Sequence, residues 1–312
     1  MIAKRWISKN VWIWSVIGSL VMWMVISFIT GNFSINMLLA NATLASFLVL
    51  LSLGQMTVIT SGNGAIDLSI QYTVALGAYA SSVLMVSFGL VAGLAVTLLI
   101  CAIVGVLNGV VNMYLKVPAM ITTLAVGFIV FAAVLMISSK TTGMPVKEVE
   151  YFTQKLRIFG ISPIVFIAVI AAVIMAFILY KTKYGKRVHA LGQNKTAAEY
   201  AGIHAVRIVI VSFVISSVFA GFTGTLLGGY FGGAFQDMGL SYLLTSVAAP
   251  VIGGTSIAGG KSSVAGTVSG ALLLTLIVAC LNLTRLPMSY QNLIQGGLLM
   301  VILIASVPKK SK

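Results

Sequence analysis

The residues of this chain that could do chemistry are few, and their types suit holding and coupling better than bond breaking. Asp67 is the one acid inside an apolar stretch, placed after the glycine-rich turn Ser61-Gly-Asn-Gly-Ala-Ile66 and before Leu68-Ser69. An ionisable group at membrane depth marks a functional site by default. An Asp at a helix start also accepts from free amides and complements the helix dipole, so cap and functional charge both fit. Gly259-Gly-Lys-Ser262 ends as a phosphate loop ends, but the first glycine of that motif would fall on Thr255, and the site lies between two apolar runs. The chain is therefore expected not to hydrolyse nucleotide. His189 and His204, the only histidines, share one basic polar stretch, and no nucleophile–base pair or metal-ligand cluster accompanies them. An enzyme reading has no residues to rest on.

The other polar groups in apolar runs are uncharged: Asn41, Gln55, Asn63, Gln71, Asn108, Asn112, Thr122 and Thr123. A path for a neutral, hydroxyl-rich solute needs such groups, although polar side chains also join helices to one another in membranes. With Asp67, the candidates for path or gate are Asn63, Gln71, Asn108, Thr122 and Thr123. Cys101 and Cys280 sit in apolar runs, where a thiol packs as a small hydrophobe.

The longest polar interruption, Lys181 to Arg207, carries the second set of candidates. Thr196 followed by Glu199 predicts a capping box, Gly202 a helix stop, and the result is little more than one turn of helix. Ala197, Ala198 and Ala201 are expected to form a small-residue surface, with Lys195, Glu199 and Tyr200 projecting elsewhere. So short a helix cannot stand alone. It must be held by the flanking membrane helices or docked into another protein's groove, with Asn194, Thr196, Ala197, Ala198, Glu199, Ala201 and Gly202 as the contact; otherwise the stretch is a connecting loop.

The elements that must position these residues follow from composition. With 59% hydrophobic and 8% charged residues, the chain is an integral membrane protein, and its apolar runs have the length of helices rather than of barrel strands. Ten spans are predicted, at about 11–29, 35–59, 65–87, 89–115, 118–138, 162–180, 207–230, 241–257, 262–282 and 288–306. The run beginning at Val11 is too long for a signal-peptide core and lacks a cleavage site, so it is taken as an uncleaved first span. An even number of spans puts both ends on one side. That side then holds 14 of the 19 Lys and Arg residues, which makes it the cytoplasm and explains the net charge of +14 without nucleic acid. The single domain, 1–312, divides into a first half of about 1–180, the stretch 181–207 and a second half of about 208–312.

Outside, Ser139 to Ser162 is a candidate docking surface or a short interfacial helix with aromatics at headgroup level. Several spans are interrupted by Gly, Asn or Pro, at 61–69, at Asn108-Gly109 and at 250–261, as in transporters whose broken helices line a cavity. The first and third interruptions share a weak repeat: Val58-Ile59 and Gly77-Ala78 recur as Val251-Ile252 and Gly270-Ala271 at one offset.

The sequence resembles the membrane permease subunits of bacterial binding-protein-dependent ABC importers, in the ribose, xylose, galactose and autoinducer-2 branch. The resemblance runs over nearly the whole length, on Gly64-Ala-Ile-Asp-Leu-Ser69, on Asn108-Gly109 with Pro118 and Thr123-Leu124, on Gly192-Gln-Asn-Lys-Thr-Ala-Ala198 with Gly202-Ile203, and on Ile252-Gly-Gly-Thr-Ser-Ile-Ala-Gly-Gly-Lys261. It implies a ten-span helical bundle in the bacterial inner membrane with both ends inside, and a second permease chain. It also implies a cytoplasmic ATP-binding cassette subunit that holds the ATP and Mg, and an extracytoplasmic sugar-binding protein. The short helix near Ala197 to Ala201 would be the coupling element. Ala65 stands where the family has a second glycine, and Ile70-Gln71 where it has a small-residue pair. A secondary transporter coupled to ions or protons is the rival, and only Asp67 is available for its coupling.

Overall fold

The computed structural model describes residues 12–300 apart from 32, 34, 285, 286, 288, 289, 292, 298 and 299. Among the described residues every element is helical, and eight helices are long and apolar enough to cross a membrane. In chain order these are α1 (Trp12–Thr30), α2 (Ile35–Thr60), α3 (Ile70–Phe88), α4 (Leu90–Tyr114), α5 (Ala119–Ser138), α7 (Pro163–Lys181), α10 (Ala205–Phe231) and α12 (Val264–Leu283). The expected helical bundle is therefore present.

Two predicted spans need correction or fall outside. The span at 241–257 is shorter than predicted: a 3-10 turn, Leu240–Tyr242, leads directly into the ten-residue helix α11 (Leu243–Ile252). With the turn rising about 2 Å per residue and the helix 1.5 Å, the segment covers about 20 Å, short of a bilayer core of roughly 30 Å. It stops at Gly253-Gly254, where Gly254 takes a left-handed φ of 94°. Most of the span predicted at 288–306 lies outside the described residues or is only partly described. The third span starts at Ile70, and 65–69 belong to the preceding turn.

Burial sorts the helices. Every residue of α2 from Ala45 to Thr60 is buried, as an all-round apolar helix in the middle of a bundle must be. Around it pack α10, α7, α11 and α12, while α10 also packs on α3 and α4, and α12 on α1. The outer faces of α4, α5 and α7 present Leu99, Ile129 and Val173 to the surroundings, each about two-thirds exposed, which is the dress of helices that face lipid.

The segment 139–162 is anchored on the end of α10 rather than free. Its one-turn helix α6 (Lys147–Glu150) runs into a π-helical turn, Tyr151–Lys155. Val149 and Thr153 are buried there, Gln154 donates to the Gly229 carbonyl at 3.0 Å, and the Ala234 amide donates to the Gly143 carbonyl. Met144 and Tyr151 are more than half exposed, and at the tip, Phe159-Gly160, Phe159 is almost fully exposed.

On the opposite face lies the polar stretch, folded as α8 (Lys183–Gln193) and α9 (Lys195–Tyr200). Thr182 caps α8, its hydroxyl accepting from the Gly185 amide. Asn194 caps α9, its side-chain oxygen accepting from the Ala197 amide at 3.0 Å. The expected Thr196–Glu199 box is thus not formed. Asn194 is as strong a cap as Thr, and it starts the helix two residues earlier. Gly202 ends α9 in the left-handed region (φ 79°), with its own amide on the Glu199 carbonyl and the Ile203 amide on the Ala198 carbonyl. That pair of bonds is the Schellman pattern, and it folds Ile203 back over Ala198.

Candidate coupling and gating site

Asp67 lies at the centre of a buried network that ties three helices together. Its Oδ1 accepts from the Ser69 amide at 3.0 Å and the Ser69 hydroxyl at 2.6 Å, and its Oδ2 from the Ser216 hydroxyl of α10 at 2.7 Å. Asn108 of α4 donates to the Ser69 hydroxyl at 2.8 Å. The carboxylate is wholly buried. Its role is not that of a helix cap in the expected sense: α3 begins beyond Ser69, no side chain caps it, and Asp67 instead closes a local turn on Ser69. Thr123 of α5 braces the same turn from the other side, accepting from the Leu68 amide and donating to the Ile66 carbonyl.

Of the sequence candidates, Asp67, Asn108 and Thr123 therefore meet at one place. Gln71 lies one turn on, with its backbone against Gly239 and its Oε1 buried without a partner. Thr122 does not join them, since its hydroxyl points to the Val117 carbonyl, and Asn63 sits on the exposed side of the turn with φ 57°. Ser216 carries no signal that could have singled it out, because serines are common in membrane helices and its partner is 149 residues away.

Two glycine turns of the same construction meet beneath the end of α8. Gly62 and Gly254 each lie two residues beyond a helix end, with φ of 93° and 94°. Gly259 packs on Gly62, and Gly62 on Gly192 at the end of α8. The Gly260 amide donates to the Thr60 carbonyl at 3.0 Å, so the second turn satisfies an orphan carbonyl of the first helix. Gly192 lies directly over that bond. A methyl there would land on both the Thr60 oxygen and the Gly260 nitrogen.

Further bonds hold α8 to this junction. Gln193 donates to the Gly260 carbonyl at 3.2 Å, His189 Nε2 pairs with the Ser262 hydroxyl at 2.9 Å, and the Tyr184 hydroxyl pairs with Ser212 of α10 at 2.8 Å. Burial pushes the Tyr184 hydroxyl up to about 12 against the opposing hydrogen bonds to Ser212 and Thr57, so it stays neutral.

The surface of α9 differs from the expected one. Ala198 is buried against the chain's own core, while Lys195, Thr196, Ala197, Glu199 and Ala201 are exposed and Tyr200 is 90% exposed. The reason is the Schellman turn, which carries Ile203 to the Ala198 side and turns that side inward. A partner would meet Tyr200 and its neighbours, not Ala198.

With this geometry, the comparisons with known proteins fall into place. The profile of the family described as "Branched-chain amino acid transport system / permease component" matches residues 37–303. The chain belongs to this permease family. It is similar to the galactose/methyl galactoside import permease protein MglC of Haemophilus influenzae, with 30% identity over 70% of this chain and 68% of that one. It is also similar to the L-arabinose ABC transporter permease protein AraH of Azospirillum brasilense, with 31% identity over 77% and 71%. The autoinducer 2 import system permease protein LsrC of Photorhabdus luminescens is 31% identical over 83% and 78%. No solved structure matches. The chain is thus a permease subunit of an ABC importer and not an enzyme, and ATP is hydrolysed in a separate subunit. Permeases of this family work with ATP-binding and substrate-binding partners.

Proposed function

We propose that the permease forms the inward path for a small, neutral, polyhydroxylated solute such as a sugar. It would lie in the bacterial inner membrane with both ends in the cytoplasm and act as one of two permease chains. An ATP-binding cassette subunit, holding ATP and Mg, docks on α9 through Asn194, Thr196, Ala197, Glu199, Tyr200 and Ala201, and a sugar-binding protein delivers from the other side. The observation that carries the solute class is a set of buried amide atoms with no partner among the described residues: both side-chain atoms of Gln55, Oε1 of Gln71 and Oδ1 of Asn108. An amide left so in an apolar interior costs several kcal/mol, about 2–7 by transfer, so such groups are kept where another conformation or a passing solute uses them. All are uncharged, which suits hydroxyls. A zwitterionic amino acid would need a charge in the path, and Asp67, the nearby acid, already accepts from three donors.

The test is uptake by the reconstituted importer from a panel of neutral sugars and from leucine and valine, with wild type and Gln55→Leu. Sugar uptake that falls tenfold or more in Gln55→Leu, at normal membrane levels, is expected. Uptake of an amino acid in place of any sugar would overturn the reading.

A further inference from the structure

A groove of about 850 Å³ runs between α1, α2, α7 and α12, away from the Asp67 network. Its walls are small and apolar, with Ala42, Ala45 and Val49 of α2 facing Ala168, Ala172 and Ala176 of α7. Val169 and Val173, which also line it, are more than half exposed, so the groove opens sideways to the surroundings of α7. At the end where α8 lies, the lining turns polar: Tyr180, Ser262 and a single cation, Lys261, which is exposed, and the lining contains no carboxylate.

The polar groups other than Lys261 are already engaged. The Tyr180 hydroxyl accepts from the Val264 amide at 3.1 Å and donates to the Ser262 carbonyl, and the Ser262 hydroxyl pairs with His189. Inside the groove, Ser46 donates to the Ala42 carbonyl and Ser269 to that of Gly266. A polyhydroxylated solute would therefore find nothing to bond along the walls, whereas a hydrocarbon chain would replace no hydrogen bond. A furrow at membrane depth, apolar along its length, open to the side and ending in a cation with no ion-pair partner among the described residues, has the charge and polarity profile of one molecule class.

We infer that this groove holds a phospholipid with an anionic headgroup, its acyl chain against the α2–α7 wall and its phosphate at Lys261. The site borders the Tyr180–His189–Ser262 contacts that seat α8, so its occupant touches the coupling segment without lying on the solute path.

The experiment reconstitutes the complete importer in nanodiscs of phosphatidylcholine with a minority of phosphatidylglycerol, and then identifies the lipids retained on the detergent-released complex by native mass spectrometry. Phosphatidylglycerol should be enriched about fivefold over its share in the disc, the preference expected for one Lys at a membrane surface. Lys261→Gln should abolish the enrichment while keeping a bound lipid, and Lys261→Arg should restore it. Ala172→Phe, or the smaller filler Ala176→Leu should the first not assemble, should remove the retained lipid. Enrichment unchanged in Lys261→Gln, or lipid unchanged in both filled grooves, overturns the assignment. So does loss of a second permease chain from a filled groove with lipid unchanged, which would give the groove to a copy of this chain.

Discussion

Gly192→Ala is the sharpest perturbation of the junction between α8 and the two glycine turns. The added methyl would fall on the Thr60 oxygen and the Gly260 nitrogen, and 2.9 Å from Gly260 Cα, where ordinary carbon contacts begin at about 3.5 Å. All three obstacles are backbone, so no side-chain rotation relieves them, and the turns must separate. Overpacking costs about 1–3 kcal/mol and loss of the Gly260–Thr60 hydrogen bond about 0.5–1.5, together roughly 2–4 kcal/mol. At 1.4 kcal/mol per tenfold, the seated arrangement loses about 30-fold to 1000-fold in population. The assay is uptake and ATP hydrolysis stimulated by loaded binding protein in the reconstituted importer. Gly192→Ala should lose at least tenfold in uptake while basal hydrolysis persists. Gly233→Ala, in open space, serves as the neutral comparator, and Gly93→Ala, which meets Met85 Cα at 2.5 Å in the α3–α4 packing away from the Asp67 network, as the destabilised one. Wild-type uptake in Gly192→Ala would refute the reasoning. So would a loss no greater than that of Gly93→Ala at equal thermal stability, because the effect would then be general loosening and not a broken linkage.

Two further perturbations test the remaining parts. Asp67→Asn keeps an acceptor for Ser69 and can bond Ser216 in the reversed sense, so it should transport far better than Asp67→Leu, which orphans three donors at about 1–3 kcal/mol each; equal loss of uptake at equal membrane levels would mean that the charge itself is needed. Tyr200→Ala should reduce copurification of the ATP-binding subunit several-fold without lowering the melting temperature of the permease, whereas Ala198→Arg should lower that temperature because it buries an unpaired cation in the chain's own core; the reverse pattern would put the partner's groove on the Ala198 side.

The bundle was readable because membrane helices announce themselves by length and apolarity, and each of the eight long helices lies within a few residues of a predicted span. Hydropathy alone did not place the helix ends: glycine interruptions were visible at 61–69 and 250–261, but 241–257 carries no charge and reads as one span, whereas α11 ends at Ile252 and Ala65-Ile66 stays outside α3. Cap chemistry was legible in kind but not in register, since Asn194 and Thr196 are both good caps and only the fold decides between them. Asp67 stood out by charge. Ser216 and Gly192 did not, because their importance lies in what sits opposite them, far away in sequence.

This division has a mechanical consequence. Each half contains a helix that stops at a left-handed glycine and a second helix that resumes beyond the turn, and such interruptions are where transporter halves bend. Here the two turns are not independent, since Gly260 bonds Thr60, Gly259 packs on Gly62, and Gly192 closes over both. Interfaces packed at backbone contact do not deform continuously but move as units. A displacement of α8 must therefore carry the α2–α3 turn and the α11–α12 turn together, and the first of these holds Asp67, Ser69 and their partners on α4 and α10. The segment proposed to meet the ATP-binding partner is thereby connected to the buried polar network through backbone contacts, with no long flexible side chain in the chain of transmission.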